Sequence, residues 1–207
     1  VSAREETRSR IRGLYGIADA EASGGDPVRL GHDLLAGGCR LIQLRCKGWN
    51  AEDTLKAARS LVETCRQVDA TLVVNDDPEI AVAADADGVH LGLDDGPTGD
   101  ARAVIGPDRI LGRSTNDLEH LRIAAGEADY VAFGPVFESP RAGDRKTVQG
   151  LGQLGAARAI AAIPLVAIGG IDAEKLPLVK ACGADAWAVI GAIASMADRI
   201  AATRQLR

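Results

Sequence analysis

Two short acidic turns set the chemistry open to this chain. Asn75-Asp76-Asp77-Pro78 closes an apolar, β-branched run, Thr71 to Val74, and Asp94-Asp95 closes a second strand-like run, Asp87 to Leu91. Between them, Pro78 suits the first turn of a helix whose N-terminus the acids stabilise, and Ile80 to Ala84 reads as that short helix. Two parallel strands joined by a helix end at the same edge of a sheet. Asp76 and Asp95 are therefore expected at one rim, on neighbouring strands. Two carboxylates and Asn75 make a sparse oxygen site, of the kind that holds Mg²⁺ together with waters and a substrate's phosphate oxygens. The alternative is a helix cap at Asp76 and a solvated turn at Asp95.

An anion for such a site would meet cations from the preceding strand. Gln43, Arg45 and Lys47 share one parity along Arg40 to Arg45 and the turn after it, so they can face one side near the strand's C-terminal end. Polar and charged residues at that spacing suit a bound anion. A salt-bridge layer inside the fold is the other reading. Ser114 ends a further strand, Arg109 to Ser114, and stands at the same rim. Late in the chain, Ile168-Gly169-Gly170-Ile171 and Ile190-Gly191-Ala192 follow two apolar runs. Glycines let backbone N–H groups approach an oxyanion, and helix N-termini add favourable partial charge. Tight strand-to-helix turns would look the same.

The elements that must position these residues alternate throughout. Strands are expected at Gly13 to Asp19, Arg40 to Arg45, Thr71 to Val74, Asp87 to Leu91, Arg109 to Ser114, Asp129 to Pro135, Pro164 to Ile168 and Asp185 to Ile190. Helices fill the gaps: from Asp26-Pro27 to Gly37, Ala51 to Val68, Ile80 to Ala84, Asp100 to Ile105, Leu118 to Ala125 capped by Asp117, Leu151 to Ile163, Asp172 to Cys182, and Ala194 to Leu206. Residues 1–10 read as a polar arm and 11–207 as one domain. Val136 to Gly150 is too polar and interrupted for a helix, and a loop of that length in a compact domain is usually functional or disordered. Strict alternation predicts an α/β fold with a parallel sheet and helices outside. Eight units in this length suit a single-domain (βα)₈ TIM barrel, with its site at the C-terminal rim and phosphate bound after strands seven and eight. An open doubly wound sheet is the runner-up, but Gly13 and Gly16 flank the first strand without forming G-x-G-x-x-G.

Composition narrows the partners. The 207 residues are 46% hydrophobic and 3% aromatic, so Ala, Leu, Ile and Val must fill the core. A net charge of −5 without a basic run argues against nucleic acid. No run approaches the roughly 18 apolar residues of a membrane span, and the charged N-terminus does not read as a signal peptide. Cys39, Cys46, Cys65 and Cys182 show no C-x-x-C pairing, which suits a reducing cytoplasm better than a disulfide scaffold. Small-molecule substrates remain. The oligomeric state is open, a homo-oligomer included.

Several segments together carry a resemblance: Gln43-Leu-Arg45-Cys-Lys47, Asn75-Asp76-Asp77, Asp87-Gly-Val-His90-Leu-Gly92, Asp129-Tyr-Val, Gly134-Pro135-Val-Phe, Val166-Ala-Ile-Gly169-Gly170-Ile and Gly183-Ala-Asp-Ala-Trp-Ala-Val-Ile190. In that order and spacing the chain resembles the thiamine-phosphate synthase family and its relatives, the thiazole tautomerases. The resemblance implies a (βα)₈ barrel. It implies a Mg²⁺-assisted transferase that joins a hydroxymethylpyrimidine pyrophosphate to a thiazole phosphate, giving thiamine phosphate and pyrophosphate through a pyrimidine carbocation. It places Gln43, Arg45, Lys47 and Asn75 on the pyrimidine pyrophosphate, Asp76 and Asp95 on Mg²⁺, and Ser114 on the pyrophosphate. Arg45, Lys47 and Ser114 would be the catalytic groups. Gly169, Gly170, Ile190 and Gly191 would bind the thiazole phosphate through backbone groups. No protein nucleophile is implied, and Cys46, His90 and Cys182 read as packing residues.

The chain departs from the family pattern in three places. The long loop usually carries Thr-x-Thr-Lys; here it reads Ser139-Pro140-Arg141-Ala142. Ser139 and Arg141 are the substrate-binding candidates there, with Arg145 and Lys146 as other sources of the missing charge. A Ser is common where Gly191 stands, and a Gln at Leu93. Against a tautomerase, the position of its His near the end of strand five reads Asn116, and the acid at Asp95 is kept. A non-catalytic member that keeps only the phosphate pocket is the third reading.

Overall fold

The computed structural model describes residues 2–139 and 147–207. A short helix α1 (Ala3–Ser9) precedes β1 (Gly13–Asp19), α2 (Pro27–Ala36), β2 (Leu41–Arg45), α3 (Ala51–Gln67), β3 (Thr71–Asn75) and α4 (Pro78–Ala83). There follow β4 (Gly88–Leu91), α5 (Thr98–Ile105), β5 (Ile110–Thr115), α6 (Leu118–Glu127) and β6 (Tyr130–Phe133). The chain ends with α7 (Gly150–Ile160), β7 (Leu165–Ile168), α8 (Leu176–Ala181), β8 (Ala186–Val189), α9 (Gly191–Ala194) and α10 (Arg199–Gln205). The strands form a closed parallel barrel in chain order, β8 pairing with β1.

The alternation read from the sequence follows from what each strand must cover. Ile42, Leu44, Leu72, Val74, Val89 and Leu111 point out and pack beneath the helices. Tyr15, Leu41, Val73, Ile110, Tyr130 and Val166 point in and fill a second, separate core inside the barrel. With both faces buried, the strands read as unbroken apolar runs rather than alternating ones. Inside, the apolar filling gives way to Gln43 and His90, both buried.

Helix starts follow local chemistry. Asp26, Asn50, Asp77 and Asp117 each cap a helix with a side-chain oxygen, worth about 1 kcal/mol apiece. The cap of α4 is Asp77, which accepts from Ile80 N–H at 2.8 Å. Asp76 is thus released from the capping role weighed above.

Three expectations change. The polar arm is helical: Ser2 and Glu5 form a capping box, Arg4 Nε donates to Asp129 at 2.6 Å and Arg10 Nη1 donates to Asp69 at 2.6 Å. Asp129 also accepts from Arg102 and from Leu111 N–H, so α1 is strapped across the barrel's floor with Ile11 buried beneath it. The helix expected from Asp172 starts at Leu176, because Asp172 accepts from Lys175 N–H in a turn of its own and Pro177 suits the first helical turn. The final helix, expected from Ala194, begins instead at Arg199, and a separate short helix ends where it was expected to start. The one-turn α9 stops at Ser195, and Asp198 caps α10 afresh.

Candidate active site

Apart from Gln43, every candidate residue among the described ones lies at the C-terminal end of a strand or in the loop that follows it. Gln43 is in the middle of β2 and Arg45 ends it, Lys47 follows, Asn75 ends β3 and Asp76 comes next, while Asp95 lies in the loop after β4. Ser114 is near the end of β5, Ser139 follows β6, Gly169 and Gly170 follow β7, and Ile190 and Gly191 follow β8. Arg141, with Arg145 and Lys146, lies outside the described residues.

The two acids meet. β3 and β4 pair with Asn75 opposite His90, so the residues just beyond share one edge. Asp76 adopts φ +66°, a left-handed conformation uncommon for a non-glycine residue, and its N–H donates to His90 C=O at 2.8 Å. This bend turns its carboxyl towards Asp95, which is held by Gly92 N–H at 2.6 Å from Asp95 Oδ2. Burial pushes Asp76 up to about 7, and the adjoining Asp95 carboxylate adds to the rise, while Lys47 and Arg45 pull against it. Burial works against ionised Asp95 too, but bonds from protonated Asp76 and Gly92 N–H, with Lys47 and Arg113 nearby, leave it below the ordinary carboxylate range. Two carboxyls that must share a proton to sit together are what a bound cation would relieve. Among the described residues no cluster of three or more His, Cys, Asp or Glu could hold a metal. The site therefore fits an ion that takes only one or two protein carboxylates and fills its shell with water and phosphate, as Mg²⁺ does.

Arg45 does not reach out alone. Its Nη1 donates to Asp19 Oδ2 at the end of β1, directly across the strand pair, and Asp19 is 1% exposed. Asp19 also accepts from Ala22 N–H at 2.7 Å. The salt-bridge reading holds for Arg45, whose guanidinium is tied to Asp19 and stays partly exposed at the rim. Lys47 is exposed on the following turn. Gln43 sits one layer lower than expected, buried, with Nε2 donating to Tyr15 Oη at 3.1 Å.

His90 is not simply a packing residue. Its Nε2 lies 2.9 Å from Ser114 Oγ and its Nδ1 lies 3.0 Å from Tyr130 Oη. Burial first, then the nearby Arg113 charge, lowers it to about 4, so the ring is neutral. Arg113, also passed over in the sequence, points out of the barrel from β5. It donates to Gly96 C=O at 2.8 Å and to Leu93 C=O at 3.2 Å, clamping the loop that carries Asp95. A signal for Asp19 was present: like Asp76 and Asp95, it is an acid at the end of an apolar strand.

The glycine turn after β7 has the shape expected of it. Gly169 and Gly170 have φ +102° and +63°, and a Cβ on Gly170 would lie 2.3 Å from Glu138 C=O. The turn is thus pressed against the start of the β6 loop, where Phe137 N–H donates to Gly169 C=O at 3.1 Å. The helix dipole invoked at these loops is smaller than anticipated. α8 begins well beyond Gly170 and α9 is a single turn, so neither loop leads directly into a long helix.

The family model described as thiamine monophosphate synthase matches residues 14–193. A thiamine-phosphate synthase of Laribacter hongkongensis is 40% identical over 195 residues, spanning 93% of this chain and 92% of that one. One from Methylobacillus flagellatus is 42% identical over 197 residues, spanning 94% and 93%. Among solved structures, thiamine phosphate pyrophosphorylase from Pyrococcus furiosus superposes with a TM-score of 0.89 at 34% identity, covering 97% of this chain and 96% of the other.

Proposed function

The chain belongs to the thiamine monophosphate synthase family and its activity is that of a thiamine-phosphate synthase, and we propose that the rim described above is where the reaction runs, with Mg²⁺ held by Asp76 and Asp95. The observation that carries this reading is the convergence of those two carboxyls beside Arg45 and Lys47. The bond that breaks joins the pyrimidine's methylene carbon to the pyrophosphate oxygen, which keeps the electron pair. The bond that forms takes the lone pair of the thiazole nitrogen to that carbon. Neither step moves a proton, so the site needs cations rather than an acid–base pair. When bound, Mg²⁺ would supply part of the positive charge against which pyrophosphate departs.

The protein's own groups do the rest. Arg45, steadied by buried Asp19, and Lys47 face the developing charge, and a preformed cation costs no reorganisation as the bond breaks. Ser114 offers a hydroxyl to the same oxygens. The Gly169-Gly170 turn and the Ile190-Gly191 backbone hold the thiazole phosphate, and Asn75 and Gln43 line the pyrimidine side. Ser139, which follows β6, would meet the pyrophosphate, with Arg141, outside the described residues, the other candidate there. The relatives reported above are named synthases rather than tautomerases. Cys39, Cys46, Cys65 and Cys182 are all free, which supports a reducing cytoplasm as the place of work. Among the described residues no helix is long and apolar enough to cross a membrane.

The direct test incubates the protein with hydroxymethylpyrimidine pyrophosphate and thiazole phosphate, with Mg²⁺ or with a chelator. Thiamine phosphate and pyrophosphate should appear in equal amounts, and only with the divalent ion. Equal rates in chelator would remove the metal from the account.

Metal affinity should depend on pH in a stated direction. Asp76 is raised in the folded protein from 3.8 to about 7. Its protonated form therefore favours the metal-free fold fully below pH 3.8, and that contribution is lost as the pH rises to about 7. A cation needs the ionised form. Affinity for Mn²⁺, read by electron spin resonance as a stand-in for Mg²⁺, should climb up to about tenfold per pH unit below about 7 and level off above it. A flat profile would contradict the shared-proton geometry.

Arg113→Gln should act on the same measurement from a distance. The substitution frees the carbonyls on either side of Asp95, so Mn²⁺ affinity should fall roughly tenfold, the loss typical of removing a group that orients a metal ligand. Binding of inorganic phosphate at the β7 and β8 loops should not change.

A further inference from the structure

Inside the barrel, beneath the rim, five side chains from five strands touch in series. Gln43 Nε2 lies 3.1 Å from Tyr15 Oη, which lies 2.8 Å from Tyr130 Oη. Tyr130 Oη lies 3.0 Å from His90 Nδ1, and His90 Nε2 lies 2.9 Å from Ser114 Oγ. Tyr15 and Tyr130 are at most 1% exposed. The barrel is shaped around the middle of this chain. Gly112 on β5 faces inward, and a Cβ there would fall 2.1 Å from Tyr130 Cζ and 2.5 Å from His90 Nδ1. The two rings stack with centroids 5.5 Å apart at 25°.

Proton counting makes the series directional. Each phenol has one proton to donate, and so does a neutral imidazole. The amide nitrogen of Gln43 can only donate, so Tyr15 accepts from it and donates to Tyr130. Tyr130 then donates to His90 Nδ1, which leaves the ring's only proton on Nε2, pointing at Ser114 Oγ. Ser114 is filled as an acceptor from below, and its own O–H is left to point outward. If Gln43 instead turned its carbonyl oxygen to Tyr15, every bond would reverse, and Ser114 would give its proton to His90. Mixed directions leave a buried donor facing a donor or an acceptor facing an acceptor, so the chain switches as a unit.

We infer that Tyr15, Tyr130 and His90 are positioning residues: a one-way hydrogen-bond chain starting at Gln43 fixes His90 in its Nε2–H tautomer and so presents the Ser114 hydroxyl as a donor to the leaving diphosphate. The inference rests on the reading that Ser114 meets that group. It gives the buried Tyr15–Tyr130 pair a reason to be polar. A phosphate oxygen wants donors around it, and a reversed chain would set a lone pair there instead.

The test uses the intact protein in two measurements. The ¹⁵N signals of the three histidines, His32, His90 and His120, are recorded with His90→Gln to identify the one that matters. The expected result is an Nε2–H tautomer at His90, shifting towards Nδ1–H in Tyr130→Phe, where nothing donates to Nδ1. In parallel, Tyr130→Phe and Ser114→Ala should each lower the rate of pyrophosphate release about a hundredfold, the lower end of what one oriented donor is worth. The double variant should be no slower than Ser114→Ala, because Tyr130 acts only through that hydroxyl. An Nδ1–H tautomer in the unaltered protein, or losses that multiply in the double variant, overturns the chain and leaves Ser114's role standing. A normal rate in Ser114→Ala overturns that role, and the chain's function with it.

Discussion

Asp76→Asn should slow thiamine phosphate formation by about a thousandfold at saturating Mg²⁺. Losing a metal that stabilises transition-state charge is worth several kcal/mol, and every 1.36 kcal/mol is about tenfold. Asparagine keeps the shape of the side chain and its left-handed turn, since that conformation is one asparagine tolerates well. What it removes is one of only two carboxylates at the site. The same substitution should not weaken the fold. In the metal-free protein Asp76 is raised to about 7 by burial and by Asp95, so above that pH its ionised form counts against folding. The amide that replaces it never ionises, and the variant's melting temperature in chelator near pH 8 should equal or exceed that of the unaltered protein. Adding Mg²⁺ should raise the melting temperature of the unaltered protein and barely move the variant. Slow turnover together with a lower melting temperature in chelator would make Asp76 a structural residue.

Arg45→Ala should be costly twice over. It takes a preformed cation away from the departing pyrophosphate, for a loss of about a hundredfold in turnover. It also strips the guanidinium from Asp19, whose carboxyl is 1% exposed at the end of β1. Breaking one side of a buried pair leaves a buried charge short of a partner and usually costs about 3 to 5 kcal/mol. Here the arginine half stands partly in solvent and Asp19 keeps Ala22 N–H, so about 2 kcal/mol is expected. Denaturant unfolding reads the second effect and steady-state kinetics the first. Asp19→Asn should show the mirror pattern, a weaker pyrimidine pyrophosphate KM with a smaller change in kcat, because Arg45 remains but loses its anchor. Unchanged stability in Arg45→Ala would mean that the bridge at the rim holds nothing in place.

The barrel was legible because its strands are buried on both faces, which writes each one as a continuous apolar run stopped by Gly, Pro or an acid. Strand periodicity then carried the rim residues with it: once β3 and β4 were placed, Asp76 and Asp95 were expected at one rim. What could not be read was which neighbour each polar side chain chooses. Asp76 and Asp77 are adjacent acids before one helix, and only the φ of +66° at Asp76 decides that Asp77 caps and Asp76 faces the cleft. His90 and Tyr130 lie in apolar strands and look like filling, because their partners are 24 and 40 residues away from His90 along the chain. Arg113 reads as an outward strand residue, and its grip on the Asp95 loop depends on loop shape rather than on any spacing. The late start of the last helix hid behind good helical composition, with Asp198 the residue that caps it.

In the proposed site, two aspartates from adjoining strands hold the ion that assists pyrophosphate's departure. A crystal grown with Mn²⁺ and pyrophosphate, and measured at the manganese absorption edge, tests it most directly. The account predicts one anomalous peak between Asp76 and Asp95, about 2.2 Å from an oxygen of each, with pyrophosphate oxygens completing the shell beside Arg45 and Lys47. A manganese peak elsewhere on the rim, or pyrophosphate bound with Asp76 and Asp95 still sharing a proton and no metal between them, would contradict it.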